Sequence, residues 1–322
     1  MNPIASPVNL ADSHSWRQCS NRDIKSRMVQ LHDTGARSDC EFWVGSDYDE
    51  IVGHKLVLSL ASPVFESMWY GSVDQPKDEP ICVPDTRAHV FKMLIKYIYT
   101  DAVDIESIDD TIDLYYEAEK YLLPGLADQC TDYLERNLEA DNVCKIFEFA
   151  VKNQLPNLKD MCINTIRCQT KYVITSEGFL AADLSTIIFI LDQDWLNIDS
   201  EMDLFKAIKL YALENNLSRK ERLQPKKGDK EVDSNNNEIE NPTILHALHR
   251  IRFLNMEPSE LAPELIKTNI LLDSEALTIL VCVEMKSCEH NLEMPEGFSD
   301  VSTSRVFESE SILMFLKSFN LH

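Results

Sequence analysis

Glycine is scarce in this chain of 322 residues: there are eight, and no two lie closer than Gly45 and Gly53. A loop that cradles a phosphate needs clustered glycines, so P-loop and dinucleotide-binding readings lack their first requirement. None of the nine cysteines forms a Cys-x-x-Cys pair. An odd count without a framework points to a reducing compartment rather than a disulfide scaffold. Cys82, Cys130, Cys144 and Cys162 fall inside apolar periodic segments, where a free cysteine packs as a small hydrophobe. Long apolar runs are missing too: the longest, near Ile187 to Leu191, is far too short to span a bilayer. The N-terminus has neither a basic start nor an apolar stretch, so no secretory leader is expected. Basic residues are outnumbered 54 to 31 by acidic ones, for a formal charge of -23. That charge repels phosphate backbones and favours basic partner surfaces. The expectation is a soluble cytoplasmic protein, compatible with a nuclear pool, that takes neither nucleic acid nor membrane as a partner.

Catalytic constellations are equally thin. His246 and His249 share a helix face, as two metal ligands must, but no acidic or cysteine partner stands at a diagnostic spacing. Cys282, Cys288 and His290 read better as thiols and a histidine near a loop than as a metal site. His54 with Ser59 or Ser62 lacks a nucleophile elbow and an oxyanion loop. No enzyme activity, metal or cofactor is expected.

What is present is organisation. Length favours two domains. Residues 1–20 show no period and read as disordered. Ile24, Met28 and Leu31 then fall at spacings of four and three, one face of a helix that Gly35 ends. Cys40, Phe42 and Val44 alternate with Glu41 and Trp43, the period of a half-buried strand, and a second strand runs from Ile51 to His54. A short helix covers 55–60, and Ser62 with Pro63 supplies the N-cap and first turn of the next. A brief strand lies between Pro80 and Pro84. Ile108, Ile112, Tyr115 and Leu122 line one later helix, and Leu126, Cys130, Leu134 and Leu138 another.

Beyond Ala140 the strand signals stop, and helices are predicted over 142–153, 155–170, 176–191 and 199–215. The last carries Leu204, Ile208, Tyr211 and Ala212 on one face, and antiparallel helix pairs are the natural packing. Residues 218–242 are rich in lysine, glutamate and asparagine and cannot offset their ordering entropy, so a disordered insertion is expected there. Helical patterning resumes at Thr243 and runs to about Met285; residues 287–322 read as a tail with a small apolar patch at Ile312, Leu313, Phe315 and Leu316.

The first part of this pattern resembles the BTB (POZ) domain family. The resemblance rests on Asp39, the alternating strand, Gly45, His54-Lys55, Leu58, Ser62-Pro63, Phe65, Met68 and Tyr97-x-Tyr99-Thr100-Asp101. The following helices resemble the BACK domain through Cys162, Phe179, Leu184 and Arg250-Ile251-Arg252-Phe253. Trp69-Tyr70-Gly71, Tyr121-Leu122-Leu123-Pro124 and Asn142-Val143-Cys144 are similar to the BTB-domain-containing subfamily close to the neuronal BTB–BACK–PHR proteins. The implied fold is an α+β BTB/POZ domain over 21–140, a small sheet covered by helices, followed by an all-α BACK domain over 141–286.

The resemblance implies a non-catalytic adaptor. Members dimerise through the BTB domain, and many recruit substrates to cullin-3 RING ubiquitin ligases; the subgroup's association with neural development is a weaker implication. Carried over by position, the dimer interface would comprise Ile24, Met28, Leu31 and Ala61, with Asp39 and Lys55 as a charged pair buried near the seam. The cullin-3-binding surface would comprise Met68, Trp69, Tyr70, Val73, Gln75, Tyr97, Tyr99, Tyr121 and Leu123, completed by Asn142 and Phe147. Where the family often has a hydrophobic-x-Glu motif, this chain aligns Val73-Asp74-Gln75, which loses a charge. Close relatives also carry a C-terminal β-sandwich of ~100 residues, for which residues 287–322 are too few. The implied partners are a second copy of the chain, cullin-3 and an unknown protein substrate. The rival reading is a cullin-independent scaffold that heterodimerises with longer relatives.

Overall fold

Alternating burial builds the one sheet among the described residues. Phe42 and Val44 point into the core and Trp43 points out along β1 (Cys40–Val44). It pairs antiparallel with β2 (Asp49–Gly53), with Phe42 opposite Ile51, and parallel with β3 (Ile81–Val83), with Val44 opposite Val83. The order is β2-β1-β3. The computed structural model describes residues 23–71, 79–217, 243–266, 270–286 and 293–305. The disorder expected at 1–20 and 218–242, the Val73–Gln75 loop, the apolar patch at 312–316, Cys288 and His290 all lie outside them.

Two compact units make up the chain, Met1–Arg136 and Asn137–His322. In the first, α1 (Ile24–Thr34) starts where the Asp23 carboxylate accepts a hydrogen bond from the Ser26 N–H at 2.7 Å, and stops at Gly35, whose φ of 56° suits a residue without Cβ. α2 (Lys55–Ala61) and α3 (Pro63–Tyr70) meet at Ser62. This buried serine accepts from Phe65 N–H and donates to the Tyr121 carbonyl at 2.6 Å, so one hydroxyl caps α3 and ties it to a distant turn. α4 (Ala88–Thr100) buries Val90, Phe91, Leu94 and Ile95 at helical spacing. α5 (Ile108–Lys120) and α6 (Pro124–Arg136) pack against each other.

Leu122, expected on the inner face of α5, is exposed with φ 55°, and Leu123 is buried instead. The helix ends at Lys120, and Leu123 N–H donates back to the Ala118 carbonyl. A left-handed residue at the helix end turns the chain, so the next side chain inherits the inward position.

The second unit is helical in its described residues: α7 (Val143–Lys152), α8 (Pro156–Cys168), α9 (Thr170–Val173), α10 (Glu177–Leu180), α11 (Leu184–Leu191), α12 (Glu201–Glu214), α13 (Ile244–His249), α14 (Pro258–Ile266) and α15 (Asp273–Met285). A 3₁₀ turn covers Phe253–Asn255. Ser176 to Leu191, expected as one helical stretch, is two short helices. The Ala182 carbonyl accepts from Tyr211 Oη at 2.8 Å and the Asp183 N–H donates to the Glu148 carboxylate, so side chains satisfy backbone groups that a continuous helix would have kept. The stripe Leu204, Ile208, Tyr211 and Ala212 is buried as its spacing requires.

The sequence sets 287–322 down as a tail. Over 293–305 that segment lies across the second unit's helices, with Phe298 and Arg305 buried. An α+β unit followed by an all-α unit is the architecture the sequence pattern implies.

Candidate functional site

Among the residues assigned to the dimer interface, those of α1 lie on a helix that packs on α4. Ile24 is 71 % exposed, while Met28 and Leu31 are half-buried. Ala61 is exposed, and α2 adds two apolar side chains that the sequence reading did not name, Leu56 at 63 % and Leu60 at 80 % exposure. Their spacing of four puts them on one helix face, and that spacing was the signal available in the sequence. The two leucines leave apolar surface in water on one face of a short helix.

Asp39 is exposed within the chain, and its Oδ1 accepts from the Lys55 backbone N–H at 2.7 Å. The bond satisfies a free donor in the first turn of α2 and places a carboxylate at the helix's positive end. Beside it, the Tyr99 hydroxyl accepts from the His54 N–H at 3.0 Å and lies 2.6 Å from His54 Nδ1. His54 Nε2 faces the Ala36 carbonyl, which only accepts, so in the neutral ring Nε2 carries the proton and Tyr99 donates to Nδ1. Burial pushes the Tyr99 phenol up to about 12.

The residues assigned to the cullin side separate into two groups. Met68, Trp69 and Tyr70 end α3; Met68 and Trp69 are half-buried and Tyr70 is 62 % exposed. Trp69 stacks on Phe65 at 5.5 Å and meets Phe42 at 6.2 Å, so the core holds one side of the indole. Tyr97 is half-buried, and its hydroxyl lies over Gly125, where a Cβ would come within 2.6 Å. Tyr99, Tyr121 and Leu123, expected as surface anchors, are core side chains instead. Tyr121 stacks on Phe65 at 4.6 Å, and burial raises its phenol well above the usual range. The reason is common to all three: large rings and leucines fill cores and interfaces by the same burial energetics, about 25 cal/mol per Å².

In the second unit, Phe147 is also buried, stacked on Phe189 at 4.6 Å, and so is not a surface anchor in the chain. Asn142 is half-buried; its carbonyl oxygen accepts from Glu139 N–H at 2.9 Å and its amide donates to the Asn137 carbonyl at 2.8 Å. Val73 and Gln75 lie outside the described residues.

An open cleft of about 520 Å³ lies between the Gly45 turn and the start of α4, lined by Asp47, Asp49, Asp85, Arg87 and His89 among others. Two of its basic side chains are engaged: Arg87 pairs with Asp110 at 2.8 Å and with Asp113, and His89 Nε2 lies 2.7 Å from Asp110. The histidine bond, with Arg87 adding to it, holds Asp110 below the usual carboxylate range. These are structural ties, not a poised acid and base. His246 Nδ1 accepts from the Thr243 N–H and so caps α13, and His249 packs under Phe298. Among the described residues no group of three or more potential metal ligands comes together. No described helix is long and apolar enough to cross a membrane.

Comparison with known proteins matches both units. A family model described as BTB/POZ domain matches residues 28–138, and one described as BTB And C-terminal Kelch, the BACK domain, matches residues 143–225. The chain is 32 % identical over 206 residues to human BTB/POZ domain-containing protein 6, and 33 % identical over 206 residues to human BTB/POZ domain-containing protein 3. Those alignments cover 63 % of this chain and 38 % and 39 % of the relatives, so the chain matches well under half their length. Among solved structures, the BTB domain of zebrafish PATZ1 aligns in full with 41 % of this chain, at 19 % identity and a TM-score of 0.30.

Proposed function

We propose that this chain, which belongs to the BTB–BACK family, is a homodimeric adaptor that binds cullin-3 and presents a protein for ubiquitination. The observation that carries the reading is the tandem match of a BTB/POZ and a BACK domain, a pairing typical of cullin-3 adaptors. The adaptor performs no chemistry. Pairing two chains places two bound substrates and two ligase arms in one particle, which raises the effective concentration of one for the other.

Surface chemistry supports each half of the reading. Ile24, Leu56 and Leu60 leave apolar area in water that a two-fold mate would cover, and an isologous interface needs such a self-complementary patch. Met68, Trp69, Tyr70 and Tyr97 offer the aromatic and aliphatic side chains that interface hot spots favour, with Trp69 pre-ordered by its stack on Phe65. Titrating the purified chain with the N-terminal domain of cullin-3 in a calorimeter tests the reading: saturable binding supports it, and absence of heat and of complex on a column removes it.

A second reading, a dimeric scaffold that does not engage cullin-3 and pairs with longer relatives, is favoured by one specific feature. Val73-Asp74-Gln75 stands where a glutamate is usual, and the lost charge weakens a charge-assisted contact. The same titration separates the two, with Gln75→Glu as the restoring variant.

A further inference from the structure

In the second unit, Arg305 is enclosed by polar groups from three earlier stretches of the chain. Arg305 is 3 % exposed and Glu201 is 2 % exposed. Arg305 Nη1 donates to Glu201 Oε2 at 2.8 Å, and Nη2 donates to the main-chain carbonyls of Leu191 at 2.6 Å and Arg250 at 2.7 Å. The walls come from the end of α11, the first residue of α12 and the turn after α13. Asp192 and Asp194 add to the negative field around the guanidinium, and Arg252 opposes it. A carboxylate and two carbonyls converging on one planar group suit the fixed fork of a guanidinium and not the point charge of an ammonium.

The main chain of the segment is held as well. Leu196 N–H donates to the Arg305 carbonyl at 3.1 Å. The Thr303 carbonyl accepts from Arg252 Nη1 at 3.0 Å and from Asn255 Nδ2 at 2.8 Å. Seven residues ahead of Arg305, the Phe298 ring lies against His249 at 4.8 Å and Phe253 at 6.0 Å. Between these two anchors, residues 300–304 are exposed. Two buried side chains, main-chain hydrogen bonds and the exposed run 300–304, which follows a turn at Gly297, describe a peptide lying on a receptor rather than a strand threaded through a core. The fit is also incomplete. Glu201 Oε1 and Arg305 Nε are buried with no hydrogen-bond partner among the described residues. Unmet buried polar atoms lower the affinity of the resident segment.

We propose that this groove is a peptide-binding site for a segment carrying an arginine with an aromatic residue seven positions before it, and that residues 293–305 are its occupant in cis. Tethering gives the resident segment an effective concentration in the millimolar range, so an arginine-bearing segment of another protein enters only by competing it out. The site lies wholly within the second unit and stands whether or not the chain binds cullin-3.

The test uses a fluorescently labelled synthetic peptide of residues 293–305 and the full-length chain. Arg305→Ala in the chain vacates the socket, and anisotropy is expected to show the peptide binding that variant at least about tenfold more tightly than it binds the unaltered chain. Placing Arg305→Ala in the peptide instead, or Glu201→Gln in the vacated chain, weakens that binding by roughly a hundredfold. Folding of each chain variant is followed by melting. Should the Arg305→Ala chain fail to fold, a full-length chain with a protease site inserted within 287–292 replaces it. After cleavage, labelled peptide is expected to exchange into the groove while the native melt persists. A folded Arg305→Ala chain that ignores the peptide, or a cleaved segment that leaves only when the unit unfolds, overturns the proposal and makes 293–305 a permanent part of the core.

Discussion

Tyr99 holds His54 twice, accepting from its backbone N–H at 3.0 Å and lying 2.6 Å from its Nδ1. The pair joins the end of α4 to the residue that opens α2, next to the Asp39 carboxylate that caps the same helix. It therefore sets where α2, with its exposed leucines, stands on the core. Tyr99→Phe leaves the shape intact and strips both His54 groups of their partner. The expected cost is about 1–3 kcal/mol of stability in the first unit, read by urea unfolding. A variant as stable as the parent would mean that the bond carries no net energy.

Ser62 is expected to be comparably sensitive. Its hydroxyl caps α3 and donates to the Tyr121 carbonyl from a fully buried position. Ser62→Ala removes a cap and orphans an acceptor, for a loss of about 1–3 kcal/mol. Ser62→Thr, which keeps the hydroxyl, should lose less if its extra methyl is accommodated, and the difference in urea midpoints measures the bond.

Alkali is expected to destabilise the protein before acid-sensitive groups explain anything. Burial pushes the thiols of Cys130, Cys144 and Cys162 up to about 12, and the phenols of Tyr99 and Tyr211 likewise to about 12. Each folded group keeps its proton longer than its unfolded counterpart, so the unfolded state binds fewer protons at high pH. The stability is complete below the unfolded values, near pH 9 for thiols and 10 for phenols, and is lost as pH climbs toward 12. Melting temperature should hold level from neutral pH to about pH 9 and then fall. Mass-mapped alkylation at pH 8 gives a parallel reading: Cys82 and Cys168, which are exposed, should react well before the three buried thiols.

The two groups of aromatic residues make opposite predictions. Tyr70→Ala removes an exposed ring and should leave the melt unchanged while weakening cullin-3 binding by about tenfold or more. Tyr121→Ala removes a core ring and should cost about 3–5 kcal/mol of stability. Ile24→Asp with Leu60→Asp should shift the chain toward monomer in sedimentation without unfolding it, because both residues are exposed in the single chain. An unchanged dimer would place the interface elsewhere.

Local rules made much of this fold legible. The alternation from Cys40 to Val44, the Ser62-Pro63 start and the stripe from Leu204 to Ala212 each follow from a period or a cap that acts within a few residues. Failures arose where a local signal meets a distant partner. Leu122 and Leu123 exchanged roles because the helix stop, not the helix period, decides which one faces in. Arg305 finds Glu201 across 104 positions, and nothing in a serine- and glutamate-rich tail announces that pairing. The candidate site was half legible for a related reason. Tyr70 and Tyr121 look alike as residues, and only packing tells a ring that fills the core from one that waits at the surface.

Light scattering coupled to chromatography, run on the chain alone and with the N-terminal domain of cullin-3, tests the central claim most directly. The account predicts a dimer that becomes a complex of two chains and two cullin domains. A chain that stays monomeric, or a dimer whose mass does not change when the cullin domain is added, would contradict it.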